Sequence, residues 1–124
     1  VIKSSSKLIV NFLKHRHLSV TMKPVLIIST YPNKKSILKI ANDLVKSKII
    51  ACVNISKIDS VYSWNGTIQN SAEYIAIFKT VTKNKSKLKK KIAETHPYDV
   101  PEIAEIDVTS INKSYLNWLI ESTN

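Results

Sequence analysis

Apolar positions along the chain change their period several times, and each change marks an element. Val25–Thr30 ("VLIIST") opens with four consecutive apolar residues, two of them isoleucine, which predicts a buried strand. Tyr31 precedes Pro32 and is biased away from helix, while Asn33 is placed to cap whatever follows. Ile37, Ile40, Ala41, Leu44 and Val45 then recur at helical spacing, giving a helix with one apolar face. Strand character returns at Ile49 and continues to Trp64.

Asn65-Gly66 interrupts that strand, and Gly66 is the only glycine in the chain. A two-residue type I′ turn needs positive φ at both central positions, which Asn-Gly supplies, so a β-hairpin is predicted here. Its arms, Ala51–Trp64 and Thr67–Val81, would each extend roughly 45 Å at ~3.3 Å per residue, less if a bulge near Lys57 shortens one of them. A 100-residue domain has a radius of gyration of only about 13 Å. The hairpin should therefore overhang its own subunit and expose Tyr62, Trp64 and Ile68, which predicts an obligate oligomer.

After the hairpin, Asn84 or Ser86 is positioned to cap a helix with Leu88, Ile92 and Ala93 on one side and lysines on the other. "PEIAEIDVTS" predicts a strand burying Ile103, Ile106 and Val108. "NKSYLNWLIES" predicts a short terminal helix carrying Tyr115, Leu116, Trp118, Leu119 and Ile120. The order β-α-β-β-α-β-α is that of an α+β, ferredoxin-like sandwich with a C-terminal helix. Such a fold serves many functions and decides none.

Composition narrows the class. With 44% hydrophobic and 23% charged residues among 124, the chain reads as one soluble globular domain. No run approaches the roughly 18 apolar residues of a membrane span. The net charge of +10 is unevenly spread. Residues 1–22 carry Lys3, Lys7, Lys14 and Arg16 and no acid, and seven lysines fall between Lys79 and Lys91. The first 22 residues have the composition of an organelle-targeting segment, or form an extension ahead of a start at Met22; the domain proper is 23–124. Cys52 is the single cysteine, which excludes an internal disulfide and suits a reducing compartment. The expected location is cytoplasmic, or organellar if residues 1–22 are a targeting segment.

Candidate chemistry concentrates in "HPYDVPEI", His96 to Ile103. The neutral imidazole of His96 is a good ligand for copper or zinc, with Tyr98 or Glu102 nearby to orient it. His96 also suits a helix C-terminus, where a cation is favoured and Pro97 stops propagation. No Gly-rich phosphate loop, Ser/His/Asp arrangement or zinc-type Cys/His spacing is present, so an enzyme is the least supported class.

"ACVNI", "SVYSWNGTI", Glu73, Lys79-Thr80, "HPYDVPEI" and "YLNWL" together resemble the CutA family of divalent-cation tolerance proteins, from about Pro24 to Ile120. That resemblance implies a homotrimer, PII-like in architecture, whose long hairpins pair across subunits. It also implies binding of copper or another divalent cation and no catalytic reaction. The candidate metal residues are then His96, Glu102 and Cys52, although Cys52 reads as well as strand packing. Ser29 and Thr95 stand where some members carry a cysteine and a second histidine, which removes two donors copper prefers. Tyr62, Trp64, Glu73, Lys79 and Tyr98 are candidates to line an intersubunit cleft, either to hold a small anionic or zwitterionic molecule or to lock the assembly. Alternative functions are a small-molecule-sensing or structural scaffold and a lysine-mediated nucleic-acid binder. The last is disfavoured by the near absence of arginine and of aromatic–basic pairing on a central strand.

Overall fold

The computed structural model describes residues 22–124, and the basic segment with His15 and His17 lies outside them. Four strands form one sheet in the order β2-β3-β1-β4, every neighbouring pair antiparallel. In sequence the elements are β1 (Pro24–Tyr31), α1 (Lys34–Lys46), β2 (Cys52–Trp64), β3 (Thr67–Val81), α2 (Lys85–Thr95), β4 (Ala104–Asp107) and α3 (Lys113–Ser122). This is the predicted ferredoxin-like order with its terminal helix.

Both apolar periods translate into layers. Along β1 burial alternates strictly, so Val25, Ile27, Ser29 and Tyr31 face one way and Leu26, Ile28 and Thr30 the other. The first set packs with Ala76 and Phe78 of β3, Ile37 and Leu44 of α1, and Leu88 and Ile92 of α2 into the main core. A smaller cluster joins Leu116, Leu119 and Ile120 of α3 to Ala51 and Val81. Asn33 caps α1 as predicted, its Oδ1 accepting from the Ser36 amide at 2.9 Å.

Several expectations need correction. The strand predicted from Ile49 begins at Cys52, because the amides of Ile49 and Ile50 both donate to the Leu44 carbonyl (3.0 and 3.3 Å) and close the end of α1. Lys48 takes φ 63° there, the left-handed position glycine usually fills. No bulge occurs near Lys57, since the β2–β3 register is unbroken from Cys52↔Lys79 to Trp64↔Thr67. Ala93 is exposed, and Ile106 is 42% exposed because it sits on the face of the sheet away from α1 and α2. Asn84 stands at the start of α2 without capping it; its Nδ2 donates instead to the carbonyls of Lys48 and Thr123.

The hairpin turn is as predicted, with φ 51° at Asn65 and 77° at Gly66. β1 pairs with β3 only as far as Tyr31↔Tyr74, whereas β2 and β3 continue together for seven further pairs, from Ile58↔Glu73 to Trp64↔Thr67. A two-stranded ribbon of about 23 Å, at ~3.3 Å per residue, thus leaves the sheet. Val61, Tyr62, Trp64 and Ile68 on it are 46–68% exposed.

Candidate functional site

His96, Tyr98 and Glu73 converge where the ribbon leaves the sheet. α2 ends at Thr95 because His96 precedes Pro97 and takes an extended conformation (φ −71°, ψ 134°). That bend directs the imidazole onto the end of β1. His96 Nε2 lies 2.9 Å from the Thr30 carbonyl and 3.1 Å from Ser29 Oγ, and the ring stacks on Tyr31 with centroids 4.1 Å apart. On its other side Nδ1 accepts the Tyr98 amide at 3.1 Å. The Tyr98 phenol donates to Glu73 Oε2 at 2.6 Å, tying this corner to the root of the ribbon.

The hydrogen bonds fix the tautomer. An amide N–H can only donate, so Nδ1 carries the lone pair; a carbonyl can only accept, so Nε2 carries the proton. His96 is neutral with both nitrogens engaged. Burial holds its pKa below the ordinary histidine value, partly opposed by the Thr30 carbonyl. Burial also pushes the Tyr31 phenol up to about 12; the Ser29 hydroxyl opposes this without completing a hydrogen bond, and the Tyr31 oxygen has no partner. The Tyr98 phenol is raised as well, by burial first and then by the Glu73 carboxylate.

This geometry does not fit a copper site. Any metal at His96 must displace the Tyr98 amide from Nδ1 or the proton from Nε2. Cys52 stands opposite Lys79 in the ladder, on the face away from α1 and α2, with its Sγ 3.8 Å from Asn54 Oδ1. Glu102 is exposed in the loop before β4. Among the described residues no three His, Cys, Asp or Glu side chains gather as a cation would require. The Ser29–His96 contact is not a nucleophile–base pair either: Ser29 is fully buried, and no carboxylate orients Nδ1.

Of the five cleft candidates, only Glu73 and Tyr98 touch. Lys79 is six residues from Glu73 along β3, roughly 20 Å, and its ammonium lies 5.6 Å from the centre of the Tyr115 ring. Tyr62 accepts a long contact from Ser71 Oγ at 3.5 Å, and Trp64 stands 65% exposed at the ribbon tip. Sequence reasoning missed Tyr31 and Thr30 as the partners of His96. Tyr31 drew notice only for preceding a proline, and a main-chain acceptor leaves no mark in a sequence.

Comparison with known proteins gives one answer. Residues 25–122 match the family model described as CutA1 divalent ion tolerance protein. The divalent-cation tolerance protein CutA of Pyrococcus horikoshii is 41% identical over 99 residues, covering 80% of this chain and 97% of that protein. Protein CutA, chloroplastic, of Arabidopsis thaliana is 36% identical over 122 residues, 98% of this chain and 67% of that one. The crystal structure of CutA1 from Oryza sativa superposes with a TM-score of 0.77 at 36% identity, over 86% of this chain and 98% of that one.

Proposed function

The chain belongs to the CutA1 divalent ion tolerance family, and from that premise we propose that it works as a non-catalytic homotrimer whose ribbons are covered by neighbouring copies. The observation that carries this reading is the two-stranded ribbon itself, seven residue pairs with no third strand beside them among the described residues and four large apolar side chains in solvent. A single subunit that leaves such an edge bare is exposed to uncontrolled pairing; copies that cover one another are not. The number three is what the family resemblance implies.

Whatever copper or other divalent cation the protein serves is met by groups from more than one subunit, because the described residues of one chain assemble no ligand set of their own. Tyr62 and Trp64 on the ribbon, the Glu73–Tyr98 pair at its root and Lys79 further back in the sheet are spread along one subunit, and a neighbour's ribbon folding back past them would gather them into one cleft. Domain limits of 23–124 and a cytoplasmic site, or an organellar one if residues 1–22 are a targeting segment, complete the reading. Light scattering at micromolar concentration tests it: three times the subunit mass is expected. A stable, well-folded monomer overturns it.

A further inference from the structure

The lysines of α2 divide into two sets. Lys85 and Lys89 close onto the two carboxylate oxygens of Glu105 in β4, Lys85 at 3.0 Å, and that carboxylate offsets one of their two charges. Lys87, Lys90 and Lys91 are exposed and, with Ser86, Glu94 and the buried Ile49, line a groove of about 670 Å³ beside the turn that precedes β2. Asn84 holds that turn against α2, its Nδ2 donating to the Lys48 carbonyl at 3.1 Å. Two further ammonium groups are drawn together close by. Lys48 Nζ reaches the Asn124 main-chain oxygen at 3.4 Å, and Lys83 Nζ reaches Asn124 Oδ1 at 2.9 Å.

Five ammonium groups therefore lie along α2 and beside the turn at its start. The only carboxylate side chain lining the groove is Glu94, an exposed residue 3.9 Å from Lys90. Like charges held this close repel one another, and a polyanion relieves the repulsion while releasing its own counterions. We propose that this groove binds the phosphate backbone of a nucleic acid without reading its sequence. Lysine serves as a point-charge phosphate binder, and among the described residues neither arginine nor an aromatic ring lines the groove to recognise or stack a base. An acidic bilayer fits less well, because the large apolar residues of α2, Leu88 and Ile92, are fully buried and leave only Ala93 exposed, too small to anchor among acyl chains. This surface lies outside the family reading and stands without it.

Fluorescence anisotropy of a labelled mixed-sequence single strand, titrated with the full 124-residue chain, tests the proposal; residues 1–22 are then the same in every variant. Four neutralised phosphates give a log–log salt slope near −2.8, so affinity should fall about 50-fold between 50 and 200 mM salt. Lys87→Gln/Lys90→Gln/Lys91→Gln should weaken binding at 50 mM at least tenfold and flatten the slope by about 2. The matched set on α1, Lys34→Gln/Lys35→Gln/Lys39→Gln, should leave both nearly unchanged. Lys91→Gln alone, expected to weaken binding two- to threefold, keeps the test available if the triple variant folds poorly. Equal binding by the α2 variant and the wild type overturns the proposal, as does an equal loss in the α1 set. So does binding to phosphatidylserine vesicles without strand binding at the same salt, which would assign the groove to membranes.

Discussion

Alternate residues of the same strands meet opposite fates. Ile27, Ser29, Tyr31, Ala76 and Phe78 point towards α1 and α2 and are fully buried. Their neighbours Leu26, Ile28, Ile75 and Ile77 point the other way and are only half-buried, while Ile106 beside them is 42% exposed. α3 covers one end of this second face, through Ala51 and Val81, and leaves the rest open. A sheet with one wet face ordinarily alternates apolar with polar, whereas strands covered on both faces read as continuous apolar runs. β1 and β3 are written for two covered faces, and the described residues of this subunit supply one cover and part of another. The open face and the ribbon that prolongs it are the surfaces that the proposed assembly would cover.

Substitution on the two faces should separate fold from assembly. Phe78→Ala removes a fully buried ring from the main core and should cost about 3–5 kcal/mol, enough to abolish a cooperative denaturant transition in a marginal domain. Ile77→Asp, one residue away on the other face, should spare the subunit's secondary structure and reduce the mass in light scattering towards that of a single chain. If both variants lost the fold equally, the open face would belong to the subunit core and the distinction drawn here would fail.

The element order was legible because each element announces its own period. Ile37, Ala41 and Leu44 mark the buried stripe of α1, Asn33 marks its start, and Gly66 marks a turn that needs positive φ. Less legible was the end of α1. Lys48, a residue with no special liking for the left-handed region, closes the helix, and that turn carries Ile49 and Ile50 into the main core before the β2–β3 ladder begins. Ile106 misled for a related reason: its apolarity serves the open face, and a sequence does not say which face a subunit leaves bare. At the candidate site, "HPYDVPEI" drew attention to His96, but the partners of His96 lie 66 and 67 residues away along the chain. Long-range pairing of that kind converts an apparent ligand into a structural group, and no local spacing encodes it.

The corner is closed where the open face is bare, and its pH dependence should show this. His96 has its pKa lowered in the folded state, chiefly by burial, so as pH falls the unfolded chain takes up this proton first. The neutral-histidine contribution to stability is complete above the unfolded value of about 6.5 and is lost as pH drops through the lower folded value. His96→Gln, which can still donate to Thr30 and accept from Tyr98, should flatten the fall in denaturant midpoint between pH 7 and pH 5. The step from Glu105, whose pKa is held down by hydrogen bonds from Lys89 and then Lys85, comes at more acid pH and should survive in the variant. A wild-type midpoint that rises on acidification from pH 7 to pH 5 would contradict the tautomer assigned here.

The smallest effect is expected from the metal, and the same variant measures it. Copper needs a lone pair, and in this fold the only one on the imidazole is held by the Tyr98 amide at 3.1 Å. Freeing it breaks that bond and loosens the stack on Tyr31, so a cation offered other donors has little reason to choose it. Wild type and His96→Gln should therefore bind copper with equal affinity, His15 and His17 contributing equally to both titrations. Cys52 offers the contrast, since its thiol lies on the open face, where a second copy would approach, and Cys52→Ser is the change that should weaken copper if the assembly completes a site there. A tenfold loss in His96→Gln would show instead that the corner opens readily, and that the amide surrenders Nδ1 to the ion.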